Sequence, residues 1–356
     1  MCWFLNPDHL YILMTGNVSS TLYIEKKNCS FVKIMSAPHL NAIYSVFSYG
    51  MKRYAGFSVT PPLPQAINIE LSSRCNLSCP ECVTGAGLLK RDKAFIDTTI
   101  AEKIAGELSG RTLSAWLYFQ GEPMMHPEFF VIVSLFREMN PVISTNGHFL
   151  SEENCQMLAG TPLKKIIIPY DGATKVTYNK YRAGGDHARV TEGIRRLADT
   201  IKNRGSRVRI ELQMLLGRYN EHEIEAVAAF AASVNADFRI KSMQVLDIER
   251  AEDWMPSDTG RSRYIKSEGK WKPVSSRARG CLRMWTSAVV TADGDVIPCC
   301  FDKFAGHSMG NLTDQTFSGI WHGEKYRTFR DSVIRSRASM DICSGCPQGR
   351  RILFKS

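Results

Sequence analysis

Cys75-Asn76-Leu77-Ser78-Cys79-Pro80-Glu81-Cys82 is the stretch on which the reading of this chain turns. Its three thiols stand three and two residues apart on one short loop, directly after the apolar run 66–71. Three thiolates so spaced can hold three irons of a cubane cluster, whereas ordinary electron-transfer 4Fe–4S clusters take four cysteines. One iron is then left open for a substrate or cofactor to chelate. Zinc is the competing metal. Its structural sites prefer two pairs of ligands, and no His or fourth Cys lies near this loop.

Outward from the triplet, apolar strand candidates alternate with helical patterns. The strands are expected at 66–71, 115–119, 142–145, 165–169, 208–215 and 238–242, and the helices at 98–108, 127–138, 152–158, 188–203 and 221–234. Such alternation predicts a parallel sheet with right-handed crossovers, the α/β class. Burial on both faces accounts for Ile166-Ile167-Ile168. Folds of this kind present ligands at the C-terminal ends of their strands, where the triplet falls. Residues 1–34 show no clear period, and translation is expected to start at Met35. A helix is expected over 39–54, with Ile43, Val46, Phe47 and Met51 at helical spacing, and Pro61-Pro62-Leu63-Pro64 reads as an extended linker. The polar stretch 243–280, rich in Arg, Ser and Gly, reads as a second linker. Beyond it, 288–291 and 296–298 flank an Asp293-Gly294 turn as a hairpin, and a helix is expected from 313 to 335.

A chain of 356 residues suits a barrel of roughly 200–250 residues plus a smaller module. No stretch approaches the ~18–20 continuous apolar residues of a membrane span, and the run 11–14 is too short for a signal-peptide core of ~7–15. A cytoplasmic protein is therefore expected, with its cysteines read as ligands or core thiols rather than disulfides. The net charge of +10 comes from scattered basic residues, apart from Arg204, Arg207 and Arg209 and the tail Arg350, Arg351 and Lys355. That pattern reads as a solvated face, and no nucleic-acid partner is expected. Five of the eleven cysteines, Cys281, Cys299, Cys300, Cys343 and Cys346, gather in the last quarter, as metal ligation requires. Cys2, Cys29 and Cys155 stand alone and read as ordinary thiols.

Cys75, Cys79 and Cys82 match the CxxxCxxC motif of the radical S-adenosylmethionine (SAM) superfamily, and the resemblance runs from Ile67 to Gly349. It implies a partial (β/α)6 TIM-like barrel whose triplet holds a 4Fe–4S cluster. The open iron of that cluster binds the amino and carboxylate groups of SAM, and reductive cleavage yields a 5′-deoxyadenosyl radical that abstracts a hydrogen atom. Gln120-Gly121-Glu122-Pro123 resembles the family's GGEP loop at the SAM amino group, with Gln120 in place of the first Gly. Thr145 and Asn146, in Ser144-Thr145-Asn146-Gly147, resemble the loop beside SAM after the third strand. Pro169-Tyr170-Asp171-Gly172 resembles the SLDG segment, with Asp171 in place and Pro169 where a Ser is usual. Gln213 corresponds to a segment bordering the adenine. Glu81 departs from the apolar or aromatic residue usual before the third cysteine, and is expected at the ribose or toward solvent.

Cys281, Cys299, Cys343 and Cys346, with Gly294 and the Met309-Gly310-Asn311-Leu312 segment, resemble the SPASM-type auxiliary-cluster domain. Full versions carry at least seven cysteines. This set resembles the reduced "twitch" form that binds one 4Fe–4S cluster, while zinc on four thiolates stays open as a rival. Cys300 reads as a core neighbour. The implied domains are an N-terminal extension 1–63, a barrel 64–245, a linker 246–280 and a small α+β cluster domain 281–350.

The resemblance implies SAM as cofactor and an electron donor such as flavodoxin or ferredoxin. The reaction expected is oxidation of a C–H bond in a small, sugar-like molecule, the second cluster taking the last electron. Maturation of a peptide or protein side chain is the alternative, and a catalytically degenerate scaffold a third. No general acid or base is named: His126, His148, His187, Tyr118 and Arg182 lie near the strand-end loops without an assigned role.

Overall fold

The computed structural model describes residues 10–13, 23–26, 37–274 and 279–346. Cys2, Cys29, Met14, Met35 and the basic tail Arg350, Arg351 and Lys355 lie outside the described residues. Near the N-terminus β1 (Leu10–Leu13) pairs antiparallel with β2 (Tyr23–Lys26), and α1 (Ala37–Gly50) runs into a single π-turn, Met51–Ala55. The barrel follows as β3 (Ala66–Ile69), α2 (Thr98–Leu108), β4 (Ser114–Trp116), α3 (Phe129–Leu135), β5 (Val142–Ser144), α4 (Glu152–Ala159) and β6 (Lys165–Pro169). It is completed by α5 (Lys175–Tyr181), α6 (His187–Asn203), β7 (Arg209–Leu216), α7 (Ile224–Ser233) and β8 (Asp237–Ser242). Asp97, Ser151 and Asp186 cap α2, α4 and α6, each side chain accepting a backbone N–H of the first turn.

The six strands β3 to β8 pair in sequence order, all parallel. Side chains alternate across this sheet. Ile67, Ile69, Ile166, Ile168, Leu212 and Met214 are buried in the core. The opposite parity carries Asn68, Lys165, Glu211, Gln213, Arg239 and Lys241, a polar row. Tyr118, just past β4, is an electrostatic neighbour of Arg239 on β8, four strands away in the sheet order. In a flat sheet four spacings would set them about 19 Å apart. The sheet therefore curls into an open barrel with the polar row inside.

Beyond the barrel come α8 (Ala251–Trp254), the hairpin β9 (Tyr264–Ser267) and β10 (Lys270–Pro273), then α9 (Arg283–Thr286), β11 (Ser287–Val290), β12 (Asp295–Ile297) and β13 (Gly310–Asn311). Three helices end the described chain: α10 (Phe317–His322), α11 (Glu324–Ser336) and α12 (Asp341–Ser344). β11 pairs parallel with β3, and β12 and β13 add antiparallel, so one nine-stranded sheet spans the barrel and the C-terminal region. The Asp293-Gly294 turn is present, with Gly294 at φ 86°. The Pro-rich segment is sandwiched beneath these helices, since Pro62 O accepts from Trp321 Nε1 at 2.8 Å and Pro61 O bonds His322 Nε2 at 2.9 Å.

Four local features differ from the sequence reading. The stretch taken as a second linker is folded: Met243, Val245, Ala251, Trp254, Met255 and Tyr264 form a small core with Leu77, Cys79 and Tyr181. Its polar composition belongs to the outside, where Lys266 and Trp271 both hold Glu252. The helix expected over 313–335 is two, broken at Gly323, whose φ −65° and ψ 164° are extended. α5 carries its buried face on Thr177, Tyr178 and Tyr181, too few apolar residues for a helical period. In α1 the apolar Ile43, Val46 and Phe47 are 44%, 51% and 49% exposed, and the buried residues are Ser45, Ser48 and Tyr49.

A buried ion pair ties together the segments that follow three neighbouring strands, β11, β3 and β4. Glu70, just past β3, accepts Arg91 Nη2 at 2.6 Å, Gln120 N at 3.2 Å and Ala292 N at 2.8 Å. Burial pushes its carboxyl up, and Arg91 opposes that shift. Arg91→Met leaves Glu70 buried without its cation and is expected to cost about 3–5 kcal/mol. Chemical denaturation of wild type and variant measures it.

Candidate functional site

The loop after β3 is held from three sides before any metal is considered. Ser78 N donates to Ala183 O at 2.9 Å, Cys82 N to Cys79 O at 3.3 Å and Ala86 N to Cys82 O at 2.8 Å. A Cβ on Gly85 would lie 2.5 Å from Cys79 N, so only glycine lets the chain close behind the second cysteine. Donors are already aimed at the sulfurs. Leu77 N and Asn146 Nδ2 approach Cys75 Sγ at 3.5 and 3.9 Å, and Arg182 Nη1 approaches Cys79 Sγ at 3.9 Å. Hydrogen bonds to sulfur are among the levers that set a cluster's potential. Without metal, burial pushes the Cys79 thiol up to about 11 and raises Cys75 as well. These thiols suit a site in which a metal supplies the positive charge that favours thiolate.

The cysteines line one cavity together with Tyr118, Gly121, Glu122, Thr145, Asn146 and Pro169. Gly121 has φ 67°, and a Cβ there would meet Ser72 O at 2.2 Å and Arg74 O at 2.7 Å. The strand-end loop thus lies directly on the triplet loop, with Glu122 N donating to Arg74 O at 2.8 Å. The Glu122 carboxylate accepts Met124 N at 3.0 Å and Asn146 N at 2.7 Å, tying the loops after β4 and β5 together. Burial pushes its carboxyl up to about 7. Thr145 adds a side-chain hydrogen bond to the same carboxylate, which stands in the cavity wall beside Cys75. Asn146 Nδ2 also donates to Asn76 Oδ1 at 2.7 Å.

Of the remaining expected SAM residues, Gln120, Pro123 and Asp171 lie outside the lining of this cavity, while Gln213 stands on the inner face of β7. Gln120 is engaged through its backbone by Glu70, and Pro123 opens a buried turn. Asp171 is fully buried and accepts Arg182 Nε and Leu215 N, both at 2.6 Å. Gln213 Nε2 donates to Glu211 Oε1. Glu81 does not point to solvent: it is 3% exposed, accepts Leu246 N at 2.7 Å and faces Arg250 Nη1 at 3.4 Å. Its partners sit in the stretch read as a linker, which is why the sequence offered it none. Arg182 is the residue that spacing did not single out. It joins Asp171 to Cys79, and only its position at the end of the unrecognised α5 brings it there.

The three histidines near the strand ends are held structurally. His126 bonds Ile96 O at 2.8 Å and accepts Glu128 N, His148 accepts Asp186 N at 2.8 Å, and His187 bonds Tyr170 Oη at 2.8 Å.

In the C-terminal region Cys343 has Cys281 and Cys346 as electrostatic neighbours, and Arg283 has Cys300, Cys299 and Cys281. Cys300 packs against the core, as expected, and has charged neighbours. Arg283 Nη1 lies 2.7 Å from its sulfur, and Tyr118, Lys241 and Lys303 also feel it. A hydrogen bond from Cys299 lowers the Cys300 thiol while raising its own. Among the described residues no three His, Cys, Asp or Glu side chains converge on one point. Four thiolates are the donor set that one 4Fe–4S cluster takes, and a structural zinc takes the same set.

Residues 69–231 match the model of the radical SAM superfamily, and residues 281–347 match that of the SPASM iron–sulfur cluster-binding domain. The chain belongs to the radical SAM superfamily. It is 24% identical over 290 residues to the S-adenosyl-L-methionine-dependent 2-deoxy-scyllo-inosamine dehydrogenase of Niallia circulans, covering 79% of this chain and 91% of that protein. It is 25% identical over 308 residues to the mycofactocin maturase MftC of Mycobacterium ulcerans, covering 80% of each. Its fold is shared with SuiB of Streptococcus suis bound to S-adenosylmethionine, at TM-score 0.59 and 13% identity over 93% of this chain and 92% of that one. Membership brings a 4Fe–4S cluster with SAM in the barrel and auxiliary iron–sulfur binding in the C-terminal domain. No helix among the described residues is long and apolar enough to cross a membrane.

Gly121→Ala forces a methyl against two carbonyls of the triplet loop at a positive φ. The variant is expected to lose iron from the first cluster site while the C-terminal site stays loaded, which iron analysis with cluster spectroscopy reads directly.

Proposed function

We propose that this enzyme dehydrogenates a carbinol or similar C–H group of a small molecule. Cys75, Cys79 and Cys82 hold the SAM-binding cluster, and Cys281, Cys299, Cys343 and Cys346 hold one auxiliary cluster. Gly121, Glu122, Thr145 and Asn146 border SAM, Glu122 receiving its ammonium. Gln120, Pro123 and Asp171 position these loops, and Gln213, on the inner face of β7, borders the adenine. The bound groups supply a 5′-deoxyadenosyl radical that takes the hydrogen atom and a cluster that accepts the second electron.

The chain's own residues arrange the remainder. Asp171 fixes Arg182, and Arg182 meets the triplet at Cys79. The observation that carries the reading is Tyr118. It lines the triplet cavity and has Cys300, Arg283, Glu211 and Arg239 as electrostatic neighbours. A substrate in the barrel interior beside Tyr118 would thus touch both cysteine regions. Oxidation of a carbinol balances there: the C–H hydrogen leaves as an atom to the radical, one electron goes to the auxiliary cluster, and the O–H proton goes to solvent. Similarity to a dehydrogenase over most of that protein's length supports the same reading. Similarity to MftC motivates peptide maturation as the second reading.

Anaerobic reconstitution tests the assignment. About eight irons per chain are expected, and replacing Cys281, Cys299, Cys343 and Cys346 by Ala should leave about four. Cys75→Ala should abolish formation of 5′-deoxyadenosine from SAM under reduction by dithionite or flavodoxin. About four irons with one zinc in the unmodified chain would contradict the auxiliary cluster.

A further inference from the structure

His148 closes the loop after β5, is 6% exposed and has no part in the proposed reaction. Its ring stands between two segments that both support the triplet loop. On one side Asp186 N, ahead of α6, donates to Nε2 at 2.8 Å, and no other acceptor meets that N–H among the described residues. A backbone N–H can only donate, so Nε2 carries no proton and the neutral ring holds its proton on Nδ1. Burial holds the pKa of the ring below the ordinary histidine value, in keeping with a neutral imidazole.

On the other side Nδ1 lies 3.0 Å from Asn146 Oδ1, which also accepts His148 N at 3.0 Å. Donors on both approaches to Oδ1 fix which way the Asn146 amide faces. Nδ2 is thereby turned to the triplet loop, where it donates to Asn76 Oδ1 at 2.7 Å and approaches Cys75 Sγ at 3.9 Å. The segment that carries Asp186 reaches the second cysteine. Ala183 O accepts Ser78 N at 2.9 Å, and Arg182 Nη1 approaches Cys79 Sγ at 3.9 Å. One imidazole, donating at one nitrogen and accepting at the other, therefore clamps the supports of Cys75 and Cys79 together. Phenylalanine would fill the same space and bond to neither.

We propose that His148 is a positioning residue for the SAM-binding cluster. Through the Asn146 amide it holds a hydrogen-bond donor on Cys75 Sγ, and so raises the potential at which that cluster accepts an electron. The reduced cluster carries one more negative charge, partly on its sulfurs, and a donor there favours it. The inference rests on the proposed function only in taking Cys75 as a ligand, and it holds whatever the substrate is.

The test is a potentiometric titration of the reconstituted holoenzyme without SAM, followed by electron paramagnetic resonance. His148→Phe should lower the ratio of reduced to oxidised triplet cluster at the wild-type midpoint by about twofold or more, and leave the C-terminal cluster unchanged. Asn146→Ala should shift the ratio the same way, and His148→Phe added to it should shift it no further. A His148→Phe chain that loads both clusters and titrates as the wild type does would overturn the proposal. So would a His148→Phe shift that persists undiminished in the Asn146→Ala background. Two measurements on the wild type need no variant to fold or load iron. Reduced protein with heavy nitrogen in its asparagine side chains should show one such nitrogen coupled to the triplet cluster. The Asp186 amide should exchange with solvent about tenfold or more slower than a free amide. Absence of either overturns the proposal. Formation of 5′-deoxyadenosine from SAM by the wild type is scored apart: its failure would sink the cluster reading and leave the exchange result standing.

Discussion

Three sulfurs on one loop must point at one place and leave the fourth side free. Everything else in the barrel serves that constraint. The loop cannot hold itself open, because eight residues with free thiols have no reason to adopt one shape. The structure fixes it by contacts that use no metal: the backbone of Ala183 on one side, Asn146 on another, and the Gly121 turn pressed against Ser72 and Arg74. Arg182 adds a cation at the second cysteine and is itself anchored by Asp171. The same stretch that carries sulfur is thus buttressed by the strand-end loops that border the cofactor.

Charge is distributed to match. Buried carboxylates Glu70, Asp171 and Glu211 are each satisfied by a cation within the barrel wall. Glu70 shows what such a pair can do in the fold, since it stitches the first strand to the turn of the C-terminal hairpin. Because β11 continues the sheet past β3, the C-terminal cysteines are delivered to the mouth of the barrel as part of one framework. Groups from the two cysteine regions then meet around Tyr118 and Cys300.

Much of this could be read from the chain alone, and the exceptions have physical causes. The strands were legible because a parallel sheet needs runs such as Ile166-Ile167-Ile168, and helices α2, α4 and α6 were legible from their apolar patterns, to which the structure adds the Asp97, Ser151 and Asp186 caps. The triplet, Gly121 and Glu122 were legible because their chemistry is local. Arg182, the burial of Asp171 and the partners of Glu81 were not, since each depends on a residue brought from elsewhere in the fold. The supposed linker concealed a small core because its few apolar residues, Met243, Trp254 and Tyr264 among them, are spread too thinly for a period. Cys300 packs against the core as expected, and only its contact with Arg283, distant in sequence, was hidden.

The most direct measurement is electron–nuclear double resonance on the reduced chain lacking the four C-terminal cysteines, with SAM carrying heavy nitrogen in its amino group. The account predicts hyperfine coupling between that nitrogen and the triplet-bound cluster, as an iron without a protein sulfur requires. A cluster that forms on Cys75, Cys79 and Cys82 yet shows no such coupling, or whose fourth iron carries a protein ligand, would contradict it.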